Sequence, residues 1–140
     1  MFQLDQRLID ECHVLGRFPL SLLLLMDDAR YPWCILVPER EGATEINRLD
    51  VADRMQLAAE SAHLAGRMSA EFGAYRVNVG ALGHIVPQLH LHHVVRFEGD
   101  PAWPGPVWGH SPAVPYSDEL RSEVAGRIVK SLGEGFKAGG

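Results

Sequence analysis

At 140 residues the chain suits one domain around a single hydrophobic core, because two domains of half that length would each bury too little surface. Its 46% hydrophobic and 22% charged residues exclude a disordered or fibrous chain. The formal net charge of -5 argues against a surface that grips a nucleic-acid backbone, while leaving room for a small, locally positive phosphate pocket.

Residues 1–7 carry neither a basic leader nor a long apolar stretch, so export is not expected and the reading is cytoplasmic. Asp5 is placed to cap a short helix running through Cys12, with Leu4, Leu8 and Ile9 on its apolar side and Gly16 and Pro19 as stop signals. Cys12 and Cys34 have no CxxC spacing and give neither a disulfide framework nor a zinc knuckle. The apolar run 20–26 is too short to cross a bilayer and meets Asp27 and Asp28 at once, so it reads as a buried strand. Residues 21–26 and 33–37 flank the turn-forming stretch DDARYP and are expected to pair antiparallel.

After a loop at 39–42, Asp50 reads as the N-cap of a long helix reaching about Phe72. Asp53 lies in its first turn, Leu57, Leu64, Ala65, Met68 and Phe72 share one face, and Gly73 is the stop. A short alternating strand at 75–79 leads through Gly80 and Gly83 into a second alternating stretch at 88–95. Residues 100–109 are too rich in proline for regular structure and are expected as an ordered loop. Trp103 and Trp108 in it either cover the sheet or stack on a base or line a dimer contact. Ser117 or Asp118 caps a last helix with Leu120, Val124, Ile128 and Leu132 apolar, before a glycine-rich tail at 133–140 that is expected to fray.

Alternate residues of a strand share a face, so the stretch 88–95 presents Gln88, His90 and His92 together and turns Leu89, Leu91 and His93 the other way. Two imidazoles and an amide at this spacing suit binding of a metal ion, or receipt of a phosphate followed by attack on it. Spacing does not separate the two, and a pair of structural histidines is the third reading. His93 is read as structural or interfacial, Asp28 as a turn residue, and His13, His63 and His110 stand outside any constellation.

The segment from Asn78 through Gly83 to Pro87, Gln88, Leu89, His90, Leu91 and His92 resembles the signature of the histidine-triad (HIT) superfamily, a glycine-bearing loop leading into alternating histidines. Residues 25–38, LMDDARYPWCILVP, resemble that family's first hairpin with its closing proline, and order and spacing agree over residues 20–96. The resemblance implies an α+β fold, with an antiparallel sheet of about five strands flanked by helices. It also implies hydrolysis or transfer at a nucleotide α-phosphate, in a nucleoside phosphoramidate or dinucleoside polyphosphate, through a nucleotidyl-histidine.

By the same resemblance His90 is the nucleophile, which requires a neutral ring whose other N–H is held by a backbone carbonyl. His92 would donate to a non-bridging oxygen, Asn78 would contact phosphate or substrate, and Asp27 would bind a ribose hydroxyl. Gln88 stands where the family usually has its first histidine; an amide can donate to phosphate but cannot be a cation or a proton donor. Slow turnover, a different leaving group and binding without hydrolysis all follow as readings of that departure. His84, where many members place a polar residue that orients the leaving group, becomes the candidate proton donor.

The resemblance further implies a homodimer, a nucleotide as small-molecule partner, and neither nucleic acid nor membrane. No tightly bound cofactor is expected beyond a divalent cation accompanying a polyphosphate substrate. Two rivals stand beside this reading. One is a non-catalytic nucleotide-binding protein; the other is a metal-binding protein using His90 and His92 with His84 or a partner-chain residue, ranked lower because a closed zinc site takes four ligands and no cysteine lies nearby.

Overall fold

The computed structural model describes residues 1–139. Asp5 caps α1 (Gln6–Glu11), its carboxylate accepting from the Arg7 N–H at 2.9 Å. Cys12 is already extended, and with it begins β1 (Cys12–Arg17), a strand the sequence reading does not contain. A register shift between Val14 and Gly16 breaks its alternation, which removes the period of two that would have marked it. The expected hairpin follows as β2 (Ser21–Met26) and β3 (Trp33–Pro38), antiparallel with Leu24 opposite Ile35.

A single 3-10 turn (Ile46–Arg48) precedes α2 (Val51–Phe72), whose cap Asp50 accepts from the Asp53 N–H at 2.8 Å. Gly73 ends the helix in the left-handed region, φ 62 and ψ 46, which costs a residue without Cβ little. β4 (Arg76–Gly80), β5 (Leu91–Arg96), α3 (Asp118–Leu132) and β6 (Lys137–Ala138) complete the chain. Ser117 is the cap of α3, accepting from the Leu120 N–H at 3.2 Å.

The six strands of the described residues form one antiparallel sheet in the order β4-β5-β3-β2-β1-β6. Both faces of its centre are covered, so β3 and β5 are buried along their whole length rather than alternately. On one face α2 and α3 bury Leu57, Leu64, Met68, Val124, Ile128 and Leu132 against Leu23, Leu25, Leu36 and Val95. Each fully buried side chain such as Leu64 or Met68 contributes roughly 1.5–3 kcal/mol. On the other face α1 and the loop at 100–109 lay Leu8, Ala102 and Val107 over Leu24, Trp33, Ile35 and Val94.

Leu120 departs from expectation: it sits in the first turn of α3, short of the packed stripe, and is 38% exposed. The tail also differs from the expected fraying, because Lys137 and Ala138 pair with Arg17 and Gly16 at the sheet edge. Among the described residues no helix is long and apolar enough to cross a membrane.

Candidate active site

β5 begins at Leu91, so Gln88, Leu89 and His90 belong to the approach to the strand and not to its alternating register. The structure nevertheless brings His90 and His92 together, while Gln88 lines a neighbouring cleft with His90. The two rings lie edge to face with centroids 4.9 Å apart, both largely buried. His90 Nδ1 is 2.7 Å from the carbonyl oxygen of Gln88. A carbonyl only accepts, so Nδ1 carries a proton, and the neutral ring keeps its lone pair on Nε2.

His92 has the opposite tautomer. The Trp33 Nε1–H donates to His92 Nδ1 at 3.0 Å, and an indole only donates, so the His92 proton resides on Nε2. Burial, reinforced by the neighbouring His90 and His93 rings, lowers the His92 pKa to about 3, and the ring is neutral at physiological pH. The pair thus offers one imidazole with a free lone pair and one with a free N–H. His93, on the opposite face of β5, donates from Nδ1 to the Leu91 carbonyl and accepts from the Ser61 hydroxyl at 2.7 Å. Burial lowers its pKa to about 4, and its role is structural.

His90 and His92 line a cleft of about 530 Å³ between α1, the glycine loop at 82–86 and the loop at 107–113. Its walls are mainly apolar and aromatic, including Leu8, Met26, Trp33, Ile35 and Trp108. The Trp108 ring lies 5.6 Å from His92, which assigns this tryptophan to the cleft; Trp103 instead packs on Tyr75 and under the Arg96 guanidinium. Cys12 also reaches the cleft, but burial pushes its thiol up to about 12, so it stays protonated at physiological pH. Among the described residues no three His, Cys, Asp or Glu side chains are grouped to hold a metal ion.

Gln88 spends its amide on the N-terminal segment. Its Oε1 accepts from the Asp5 N–H and its Nε2 donates to the Gln3 carbonyl, both at 2.8 Å. The expectation that Gln88 shares a strand face with the histidines is therefore corrected: strand alternation starts only three residues later. His84 is exposed on the glycine loop and lines the cleft with His90 and His92.

Asn78 and Asp27 lie outside the cleft lining. Asn78 Oδ1 accepts from Arg96 Nη1 at 2.8 Å, and Arg96, 2% exposed, also holds Asp100 through two bonds and the Gly105 carbonyl. The amide thus helps anchor the loop that carries Trp108. Asp27 accepts from the Tyr116 N–H at 3.0 Å and faces His13 at 3.5 Å, tying the end of β2 to the segment before α3. Its neighbour Asp28 lines the cleft instead, buried and bound through both carboxylate oxygens to Arg30.

Sequence reasoning misses Trp33 as the partner of His92, although strand parity carries the signal. Ile35 faces His92 across the β3–β5 register, and Trp33 lies two residues away on the same face.

A family model described as the HIT domain matches residues 8–99. A histidine triad protein from Marinobacter aquaeolei VT8 is 47% identical, with 96% of this chain and 98% of that one covered and a TM-score of 0.94. One from Sinorhizobium meliloti 1021 is 42% identical over 94% and 98% of the two chains, with a TM-score of 0.92. A third, from Bradyrhizobium japonicum, is 34% identical over 94% and 98%, with a TM-score of 0.91. The curated protein sequences contain no significant match.

Proposed function

The chain belongs to the HIT domain family, and on that premise we propose that it is a nucleotide hydrolase or transferase acting at an α-phosphate through a nucleotidyl-His90 intermediate. The observation that carries this reading is the pair of complementary tautomers, a free Nε2 lone pair on His90 beside a free Nε2–H on His92. The substrate is a nucleoside phosphoramidate or a dinucleoside polyphosphate, its base lodged in the cleft lined by Trp33 and Trp108. A divalent cation accompanies a polyphosphate substrate, and the protein works in the cytoplasm as a homodimer.

In the first step His90 Nε2 forms a bond to the α-phosphorus as the bond from phosphorus to the leaving nitrogen or oxygen breaks. The departing atom takes the bonding pair and a proton, which His84 supplies from the exposed loop. His92 donates to a non-bridging oxygen as negative charge shifts there. Water then attacks phosphorus, the N–P bond breaks, the nucleoside monophosphate leaves with one of water's protons on its side of the balance, and His84 recovers the other.

Preformed tautomers matter because no proton has to move within the pair before attack. The test is a panel of adenosine and guanosine phosphoramidates and dinucleoside polyphosphates, with the protein trapped by acid quench and weighed by mass spectrometry. A nucleotidyl adduct on His90 is expected, and His90→Ala should lose both adduct and turnover while keeping its circular dichroism spectrum. Undiminished hydrolysis by that variant would overturn the assignment.

A further inference from the structure

A second cleft, of about 520 Å³, meets the aromatic one at His90, Leu82 and Gly83. Its other walls include Thr44, Glu45, Asn47 and Arg54, on the segment leading into α2 and the first turn of that helix, and Gln88 just before His90. The two linings differ in chemistry. The first is dominated by apolar and aromatic groups, whereas the second carries Arg54, the one Lys or Arg lining either cleft among the described residues.

Arg54 donates from Nη2 to the Asn47 carbonyl at 3.2 Å, and the described ion pairs leave its guanidinium out. Other arginines near the site are engaged: Arg30 with Asp28, Arg96 with Asp100, and Arg7 with the Ile85 carbonyl and Asp5. A cationic fork with donors to spare, at a cleft that opens onto the nucleophile, is suited to a carboxylate or phosphate.

We infer that this second cleft receives the group displaced from the α-phosphate, and that Arg54 selects a displaced group bearing its own negative charge. The inference rests on the nucleotidyl-transfer reading, in which the nucleoside stays bound to His90 while the other half of the substrate departs. The leaving atom moves away from His90 Nε2, since attacking and leaving atoms lie roughly in line. A displaced group several atoms long then extends past Gly83, where the clefts join, so that its charged end reaches Arg54. Glu45 shares the lining and opposes an accumulation of negative charge. A single carboxylate, as on an amino acid joined to phosphorus through its amine, therefore fits better than a polyphosphate chain.

The test uses hydrolysis-resistant methylenephosphonate analogues of adenosine and guanosine monophosphate that differ only in the displaced group: a terminal carboxylate, the matching carboxamide, or a terminal phosphate. Calorimetric Kd values are measured for wild type and Arg54→Gln. The carboxylate should bind wild type about five- to tenfold more tightly than the carboxamide, and that ratio should fall to about one in the variant. Raising the salt concentration should shrink the ratio in wild type.

The carboxylate analogue should show a larger Arg54-dependent gain than the phosphate one, and the reverse order would overturn the choice of a single carboxylate. Equal binding of carboxylate and carboxamide to wild type, an unchanged ratio in Arg54→Gln, or no binding of any analogue overturns the inference. The analogues are never turned over, so they interrogate the cleft even where no adduct forms on His90; that second failure would sink the catalytic reading alone.

Discussion

Each histidine of β5 and its approach has its tautomer set by a different neighbour, the Gln88 carbonyl for His90, the Trp33 indole for His92 and the Leu91 carbonyl with Ser61 for His93, while burial keeps the His92 and His93 rings neutral. Neutrality has a consequence for stability. His92 and His93 have folded pKa values lowered to about 3 and about 4 from an ordinary 6.5, so below pH 6.5 the unfolded chain binds protons that the folded one refuses. Their contribution is complete above pH 6.5 and declines as the pH falls toward 4, by about 1.4 kcal/mol per pH unit for each ring. Urea unfolding at pH 7.5 and pH 5 should show a marked loss of stability at the lower value, and an unchanged midpoint would contradict the buried neutral assignment. Gln88 makes a different point at the same scale. A residue that the triad pattern places beside phosphate instead fastens Gln3 and Asp5, and with them α1, over the apolar side of the cleft.

Among the elements, the edge pair β1–β6 depends on one residue. Gly16 has φ +151, and a Cβ there would lie 2.2 Å from the Lys137 carbonyl oxygen and 2.9 Å from the Ala138 Cα, both backbone atoms that cannot swing aside. Gly16→Ala should therefore detach residues 137–138 from the sheet and free the Gly139 amide, which donates to the Leu15 carbonyl at 3.0 Å. Hydrogen exchange would report this as lost protection at Gly139, and full protection in the variant would show that the strand yields elsewhere. The loop at 100–109 is fastened by comparable means. Arg96 spans Asp100, Gly105 and Asn78, and Asp100 also accepts from the Phe97 and Trp103 N–H groups, so a proline-rich segment without regular structure can still hold Trp108 beside His92.

For the whole molecule, β4 ends the sheet as an edge strand, with Val79 46% exposed on it and Tyr75, 53% exposed, just before it. An unguarded edge with apolar side chains is the surface a two-fold partner would cover, which supports the proposed homodimer. Analytical ultracentrifugation should give twice the 15.5 kDa chain mass, and Val79→Lys should shift the protein toward monomer. A wild-type monomer at tens of micromolar would refute the assembly. Much of the fold was legible in the chain itself: the β2–β3 hairpin, α2 between Asp50 and Gly73, and a last helix capped at Ser117 or Asp118 all follow from local periodicity and capping chemistry. β1 was hidden by its bulge, and β6 by its two-residue length. Local order thus determined which segments are helix or strand, because those preferences act over a few residues. Only the tertiary structure decided what each polar side chain does. Gln88, Asn78 and Asp27 are claimed by the main chain of residues 3–5, by Arg96 and by the Tyr116 amide, and Trp33 is delivered to His92 from 59 residues away. Hydrogen bonds go to whichever partner folding brings within reach, and sequence spacing does not encode that distance.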